Sequence, residues 1–106
     1  MISVLALAGC STLQSRRDDP PIFQQTTAIS VQDFQGCFAE KTAKQDVQYL
    51  PRRNGGTFSS GAGTQRYILW VVDVDDLGAE RRVTVHAVDS IWGPNKKIIA
   101  EVQACM

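Results

Sequence analysis

The chain has 106 residues, eleven basic and eleven acidic side chains, and 43% hydrophobic residues. This size and composition are typical of one folded domain. The balanced charge, without a basic stripe, argues against nucleic-acid binding, and no apolar run reaches the ~20 residues of a membrane-spanning helix.

The first ten residues, MISVLALAGC, form an apolar run that ends in Leu7, Ala8, Gly9 and Cys10. This ending resembles the lipobox of bacterial lipoprotein precursors, in which Leu, a small residue, Gly or Ala, and then Cys close the signal peptide. The resemblance implies that residues 1–9 are the remnant of a truncated signal peptide. It also implies that Cys10 is the lipid-modified first residue of the mature protein. A first buried strand or a frayed apolar end over residues 1–10 is the competing interpretation.

Ser11 follows Cys10 and resembles the sorting context for the outer membrane. The expected location is therefore the bacterial cell envelope, with a lipid anchor in the outer membrane and the domain facing the oxidising periplasm. Residues 10–28 are polar and contain Pro20 and Pro21, which predicts a flexible tether with its charged run, residues 16–19, in solvent.

A helix is predicted over residues 31–44. Ser30 is a good N-cap and Asp33 lies near the positive end of the helix dipole. Apolar residues follow at helical spacing, namely Val31, Phe34, Cys37 and Phe38. The pattern is that of a short amphipathic helix.

Antiparallel strands are predicted next. Residues 46–53 have the composition of a strand, and Pro51 places that strand at an edge of the sheet or marks its end. The turn signal at residues 54–56 leads to a return strand over residues 57–60. Residues 66–88 have the clearest pattern and predict a β-hairpin with a turn at Gly78.

The two faces of this hairpin differ in the prediction. One face carries apolar residues at period two: Ile68, Trp70, Val72 and Val74 in the first arm, and Val83, Val85 and Ala87 in the second. The other face is expected to be wet, with Tyr67, Leu69 and Val71 giving way to Asp73 and Asp75, and with Thr84 and His86 in the second arm.

The end of the chain, residues 94–105, is predicted to form a helix that begins at Pro94 and aligns Ile98, Val102 and Cys105 on one face. A final strand is the alternative, because apolar residues also alternate there. With Cys10 assigned to lipid, Cys37 and Cys105 remain and are expected to form a disulfide in an oxidising compartment. Two buried free thiols are the alternative.

No cofactor, metal ion or small-molecule ligand is indicated. The glycine-rich residues 55–63 lack the GK[ST] ending of a phosphate-binding loop. The acidic cluster Asp73, Asp75 and Asp76 lacks the later ligands of a calcium loop and is expected to be a solvated turn. His86 is expected to be a surface residue, since no nucleophile motif accompanies it, so the chain is not expected to be an enzyme.

These patterns predict a single α+β domain over residues 29–106. It contains an antiparallel meander of three to four strands, with an N-terminal and a C-terminal helix packed on one face. The predicted role is a non-enzymatic accessory module of an envelope assembly or secretion machine, with an envelope protein as partner. The candidate partner surface is the exposed sheet face at Tyr67, Leu69 and Val71, or the strand edge from Tyr49 to Arg52.

An alternative role comes from residues 59–67, SSGAGTQRY, which resemble the small-residue loop of periplasmic inhibitors of c-type lysozyme. That resemblance implies a plug for an enzyme that degrades the cell wall, with Ser60 and Arg66 as its contact residues. The tryptophan-lysine-glycine element that follows the loop in that family is absent here.

Overall fold

A computed structural model describes residues 17–18, 20–45, 47–60, 69–87 and 94–106. Five strands and two helices follow one another along these residues. In chain order they are β1 (Phe23–Thr27), α1 (Val31–Lys41), β2 (Val47–Arg52), β3 (Gly55–Ser60), β4 (Trp70–Asp76), β5 (Arg81–Ala87) and α2 (Pro94–Ala104).

The strands form one antiparallel sheet in the order β1-β5-β4-β3-β2. The predicted α+β class is confirmed, but the strand count of three to four is wrong, because the sheet has five strands. Strands β2 to β5 follow one another as a meander, whereas β1 lies beside β5, the last strand. Helix α1 connects the two edges of the sheet, from β1 to β2.

Strand β1 lies inside the predicted tether of residues 10–28, so the folded part of the chain begins before residue 29. It pairs with β5 from Phe23↔Val85 to Thr27↔Arg81. The sequence FQQTT shows no apolar alternation, and its strand conformation follows from pairing with the otherwise open edge of β5.

Both helices pack on one face of the sheet, as predicted. Their buried residues form a single core with the side chains that β3, β4 and β5 direct to that side, which is called the first face below. The core contains Phe34, Phe38, Phe58, Trp70, Val72, Val74, Val83, Val85, Ala87, Ile98, Val102 and Cys105. The aromatic rings of Phe38 and Phe58 meet edge to face, with centroids 4.8 Å apart.

The two helices begin where the sequence predicts. The Ser30 hydroxyl accepts a hydrogen bond from the Asp33 N–H at 3.0 Å, so Ser30 is the N-cap of α1. Helix α1 ends at Lys41, three residues earlier than predicted, where the Thr42 N–H and hydroxyl both donate to the Phe38 carbonyl. The final segment is a helix and not a strand, and Ile98, Val102 and Cys105 are buried on one side of it.

The opposite face of the sheet, called the second face below, is not wet as predicted. Its side chains from β3, β4 and β5 are buried: Thr57, Ser59, Val71, Asp73, Thr84 and His86. Strand β4 therefore lies between two buried faces. Its run WVV is apolar at consecutive positions, which is the pattern of a strand covered on both sides.

The β4–β5 hairpin has the predicted turn chemistry. Its register runs from Trp70↔Ala87 to Asp76↔Arg81, and Gly78 has φ of 101°. The Gly78 N–H donates to Asp76 Oδ1 at 3.0 Å. This bond, together with one from Arg81, lowers the pKa of the Asp76 carboxyl.

Candidate functional site

Arg17 binds to the middle of the second face. Its Nε donates to Asp73 Oδ2 at 3.1 Å and its Nη2 donates to Asp73 Oδ1 at 2.8 Å, so the guanidinium holds the carboxylate through two parallel bonds. The same Nη2 also donates to Thr57 Oγ1 at 3.0 Å. We call this set of three residues the Arg17 clamp.

Thr57 uses its full hydrogen-bonding capacity in the clamp. Its hydroxyl donates to Asp73 Oδ1 at 2.6 Å and accepts from Arg17 and from Arg52 Nε, the latter at 2.8 Å. Arg52 in turn donates to Asp75 Oδ1 at 3.0 Å. The clamp therefore joins β3 and β4 to the chain that precedes β1, and Arg52 links β2 to it through Thr57.

Asp73 is charged in this environment. Burial by itself would raise the pKa of the Asp73 carboxyl. The hydrogen bonds from Arg17 and Thr57 and the charges of Arg17 and Arg52 outweigh that effect, and the pKa lies below its usual value. The expectation that Asp73 belongs to a solvated turn is wrong, since its side chain is only 12% exposed.

The clamp has the properties of a structural element. A carboxylate with a lowered pKa is a weak base at neutral pH, and both of its oxygens already accept hydrogen bonds. Within the described residues, no group of three or more His, Cys, Asp and Glu side chains could hold a metal ion. These contacts attach the segment that precedes β1 to the sheet.

The sequence prediction missed this cluster. Residues 16–19 were expected to lie in solvent, but Arg17 is bound to the sheet. Asp73 could have indicated such a cluster, since it lies between Val72 and Val74 in an apolar strand. A charge at such a position needs a partner. Nothing in the local pattern identified Arg17, 56 residues away, as that partner.

His86 lies on the second face as predicted but is not a surface residue, because only 9% of it is exposed. Its Nδ1 atom is buried and has no hydrogen-bond partner among the residues that the structure describes. Among the contacts of the described residues, none joins His86 to a serine hydroxyl or to a thiol.

Cys37 and Cys105 form a disulfide, as expected from the sequence. Their Cα atoms are 5.7 Å apart, and the bridge links α1 to the C-terminal end of α2. Residue 105 belongs to the buried core, whereas Cys37 is partly buried against it. Cys10 lies outside the described residues.

Ser60, a contact residue of the alternative inhibitor loop, has a structural role. Its hydroxyl oxygen accepts hydrogen bonds from the N–H groups of Leu69 at 2.9 Å and Trp70 at 3.1 Å. The residue is 7% exposed. It therefore supports the start of β4 and is not displayed as a contact residue, while Arg66 lies outside the described residues.

The predicted partner surface on the sheet face is contradicted at Val71, which is fully buried. Leu69 is exposed at 39%, and Tyr67 lies outside the described residues. The predicted alternative, the strand edge at Tyr49, has the expected location: β2 is an outer strand of the sheet, and within the described residues it pairs with β3 alone.

A groove of about 180 Å³ runs along this edge on the side of the first face. We call it the edge groove. Its walls are Ala39 of α1, Thr42 and Ala43 of the following turn, Val47 and Tyr49 of β2, and Phe58 of β3. The Tyr49 ring stacks at a tilt on Phe58, with centroids 4.6 Å apart, and lies over Gly56, where a Cβ would collide with it.

Pro51 determines which backbone groups of β2 point outward. In an antiparallel pair, residues that exchange hydrogen bonds alternate with residues that do not. Pro51 pairs with Gly56 and has no N–H, so it belongs to the second kind. By the same alternation, the backbone N–H and C=O groups of Val47 and Tyr49 point away from β3, at the open edge.

Comparison of the chain with protein-family models, with curated proteins and with solved structures found no match. Neither helix of the part of the chain that the structure describes has the length and apolar character needed to cross a membrane.

Proposed function

We propose that this chain is a non-enzymatic interaction module of the bacterial envelope. A lipid on Cys10 attaches it to the outer membrane, and it serves an envelope assembly or secretion machine in the periplasm. The observation that carries the proposal is the disulfide between Cys37 and Cys105. Structural disulfides persist in oxidising compartments, and pairing these two cysteines leaves Cys10 as the remaining one of three.

Mass spectrometry of the full chain, purified from bacterial membranes, tests the anchor and the compartment together. We expect the mass of a chain that begins at Cys10 with a diacyl or triacyl modification. Thiol reagents are expected to label Cys37 and Cys105 only after reduction. An unmodified Met1 together with three reactive thiols would contradict both the lipid anchor and the periplasmic location.

We propose that the partner contacts the edge of β2. The outward N–H and C=O groups of Val47 and Tyr49 can pair with an extended segment of another protein. The edge groove lies on the side to which these two side chains point, so alternate side chains of an added strand would lie over it. A cavity of about 150 Å³ can hold a benzene ring, so the groove is large enough for one aromatic or branched side chain.

A crosslinking pair of variants tests this placement. A photoreactive amino acid at the exposed position Leu50 is expected to form one defined adduct in cells. Ala39→Trp fills the groove and is expected to reduce that adduct at least tenfold. Ala100→Trp is the matched control, because Ala100 is an exposed alanine of α2 that does not line the groove. Equal adducts in the two variants would contradict a contact at β2.

A further inference from the structure

We infer that, when no other partner is bound, the β2 edge pairs with the β2 edge of a second copy of this chain. The two strands run antiparallel about a two-fold axis at Tyr49, and the two sheets join into one. The inference goes beyond the proposed function, because it needs neither the lipid on Cys10 nor an envelope protein. It shares with that function only the open edge of β2.

The backbone of β2 can bond to its own copy. The outward N–H and C=O groups belong to Val47 and Tyr49, and Pro51, which has the same orientation, adds a carbonyl. With the axis at Tyr49, the two Tyr49 residues exchange a pair of hydrogen bonds. The Val47 N–H of each copy then donates to the Pro51 carbonyl of the other, so the missing N–H of Pro51 breaks none of these bonds. An axis at Gln48 allows as many bonds, and the side chains therefore decide the register.

The exposed side chains favour the axis at Tyr49. Leu50 is the neighbour of Thr57, so its side chain is on the side of the second face, where it is 41% exposed. The axis at Tyr49 places Leu50 opposite Gln48 of the other copy and diagonal to the other Leu50, at about 7–8 Å, which long side chains can bridge. An axis at Gln48 would separate the two leucines by about 14 Å along the strands. Only the first register covers both leucines.

The charges of β2 determine the direction of pairing. Arg52 ends the strand and Arg53 follows it, and both are exposed. Parallel pairing would set these arginines beside those of the other copy, and like charges at opposite positions destabilise a strand pair. In the antiparallel pair the two Arg52 positions lie about 20 Å apart along the strands, which exceeds the ~8 Å Debye length at physiological salt.

The edge groove leaves room for the second strand. The residues of α1 and of the following turn that line it at the edge are small, namely Ala39, Thr42 and Ala43. One short strand from each copy gives a contact well below the roughly 1,600 Å² of a standard interface, so we expect a weak dimer. A weak pair covers the unbonded edge and can still be replaced by the segment of another protein.

A spin-label measurement tests the pair and its register together. The full chain carries Cys10→Ser and Arg53→Cys, so that, with the disulfide formed, the label attaches at position 53 alone. Pairing about Tyr49 sets the two labelled backbones about 27 Å apart, an axis at Gln48 about 34 Å, and parallel pairing about 5 Å. We expect the first distance at millimolar concentration and its loss on dilution to the micromolar range.

Leu50→Lys places two like charges beside the axis and is expected to lower the association constant about fivefold. Leu77→Lys is the matched control, because Leu77 is an equally exposed leucine in the β4–β5 turn. Val47→Pro removes an outward N–H and no bond to β3, so it is a second variant with the same expectation as Leu50→Lys. Urea unfolding of each variant shows that the fold is retained.

A monomer at millimolar concentration, a different distance, or a pair that survives both Leu50→Lys and Val47→Pro would overturn the inference. These measurements contain no envelope protein, so their failure leaves the crosslinking test of the proposed partner intact. In that test, a pair of copies is recognised by an adduct with twice the mass of the chain.

Discussion

Asp73 illustrates how one residue depends on a partner distant in sequence. Its carboxylate accepts hydrogen bonds from Arg17 and Thr57. Arg52 forms a longer ion pair with it, in which Nη2 lies 3.7 Å from Oδ1. A mostly buried charge of this kind is tolerated because three hydrogen bonds within the protein replace bonds to water. Replacing the carboxylate by an amide removes one of the two oxygens to which Arg17 donates.

We therefore expect Asp73→Asn to lower the free energy of unfolding at pH 7 by about 1–3 kcal/mol, measured by urea denaturation. Asp75→Asn is the control, because the pair of Asp75 with Arg52 is more exposed and should contribute less than about 1 kcal/mol.

The pKa of Asp73 is lowered in the folded state. Its stabilisation is therefore complete above the unfolded value of about 3.9 and is lost as pH falls through the lower folded value. Equal losses in the two variants, or a difference that does not shrink as the pH is lowered below the unfolded value, would contradict this account.

Two glycines show that the consequence of adding a methyl group depends on the element that receives it. Gly55 begins β3 with φ of 147°, and a Cβ there would collide with the Val74 carbonyl oxygen on β4. Gly36 is an exposed position of α1 with no atom near a Cβ. The first glycine is required by a close approach of two strands, and the second only weakens a helix.

Alanine at these two positions should have opposite effects on stability. Gly55→Ala is expected to lower the free energy of unfolding by more than about 1 kcal/mol, because both the backbone conformation and the contact with β4 are incompatible with a side chain. Gly36→Ala is expected to raise it by about 1 kcal/mol through helix propensity. Thermal unfolding of both variants measures this, and a change of the same sign in both would contradict it.

At the scale of an element, the effect of Pro51 depends on where its strand β2 lies in the sheet. Pro51 would break a central strand, but at the edge its missing N–H points to the open side. From Pro51, the sequence predicted either this location or the end of the strand. It did not predict the groove beside the strand, because the groove also requires the position of α1 relative to the sheet.

On the scale of the whole molecule, the disulfide between Cys37 and Cys105 links distant parts of the chain. It joins two helices whose cysteines are 68 residues apart, and all five strands except β1 lie between them in the sequence. A link over such a length mainly restricts the unfolded chain, and in the chain-entropy model it contributes on the order of 4 kcal/mol.

Reduction should therefore shift the urea unfolding midpoint of the oxidised chain to markedly lower urea. The double variant Cys37→Ala, Cys105→Ala is the control, because it should show the lower midpoint from the start and no response to the reductant. An unchanged midpoint on reduction of the unmodified chain would show that the bridge does not contribute to stability.

Local sequence patterns were sufficient for the elements with strong periodicity. The α1 helix with its Ser30 cap, the α2 helix, the β4–β5 hairpin and the cysteine pair all follow from spacing within a few residues or from the cysteine count. Such features are determined locally because side-chain period, capping and turn chemistry act between near neighbours in the chain.

Tertiary structure decided the rest. Strand β1 exists because the edge of β5 was open to pairing, and the second face is buried although most of its residues are polar. Arg17 is part of the fold because Asp73, 56 residues later, needs a positive partner. In each case the deciding contact joins residues that are distant in the chain. A pattern within a short stretch of sequence does not indicate which distant residue will make such a contact.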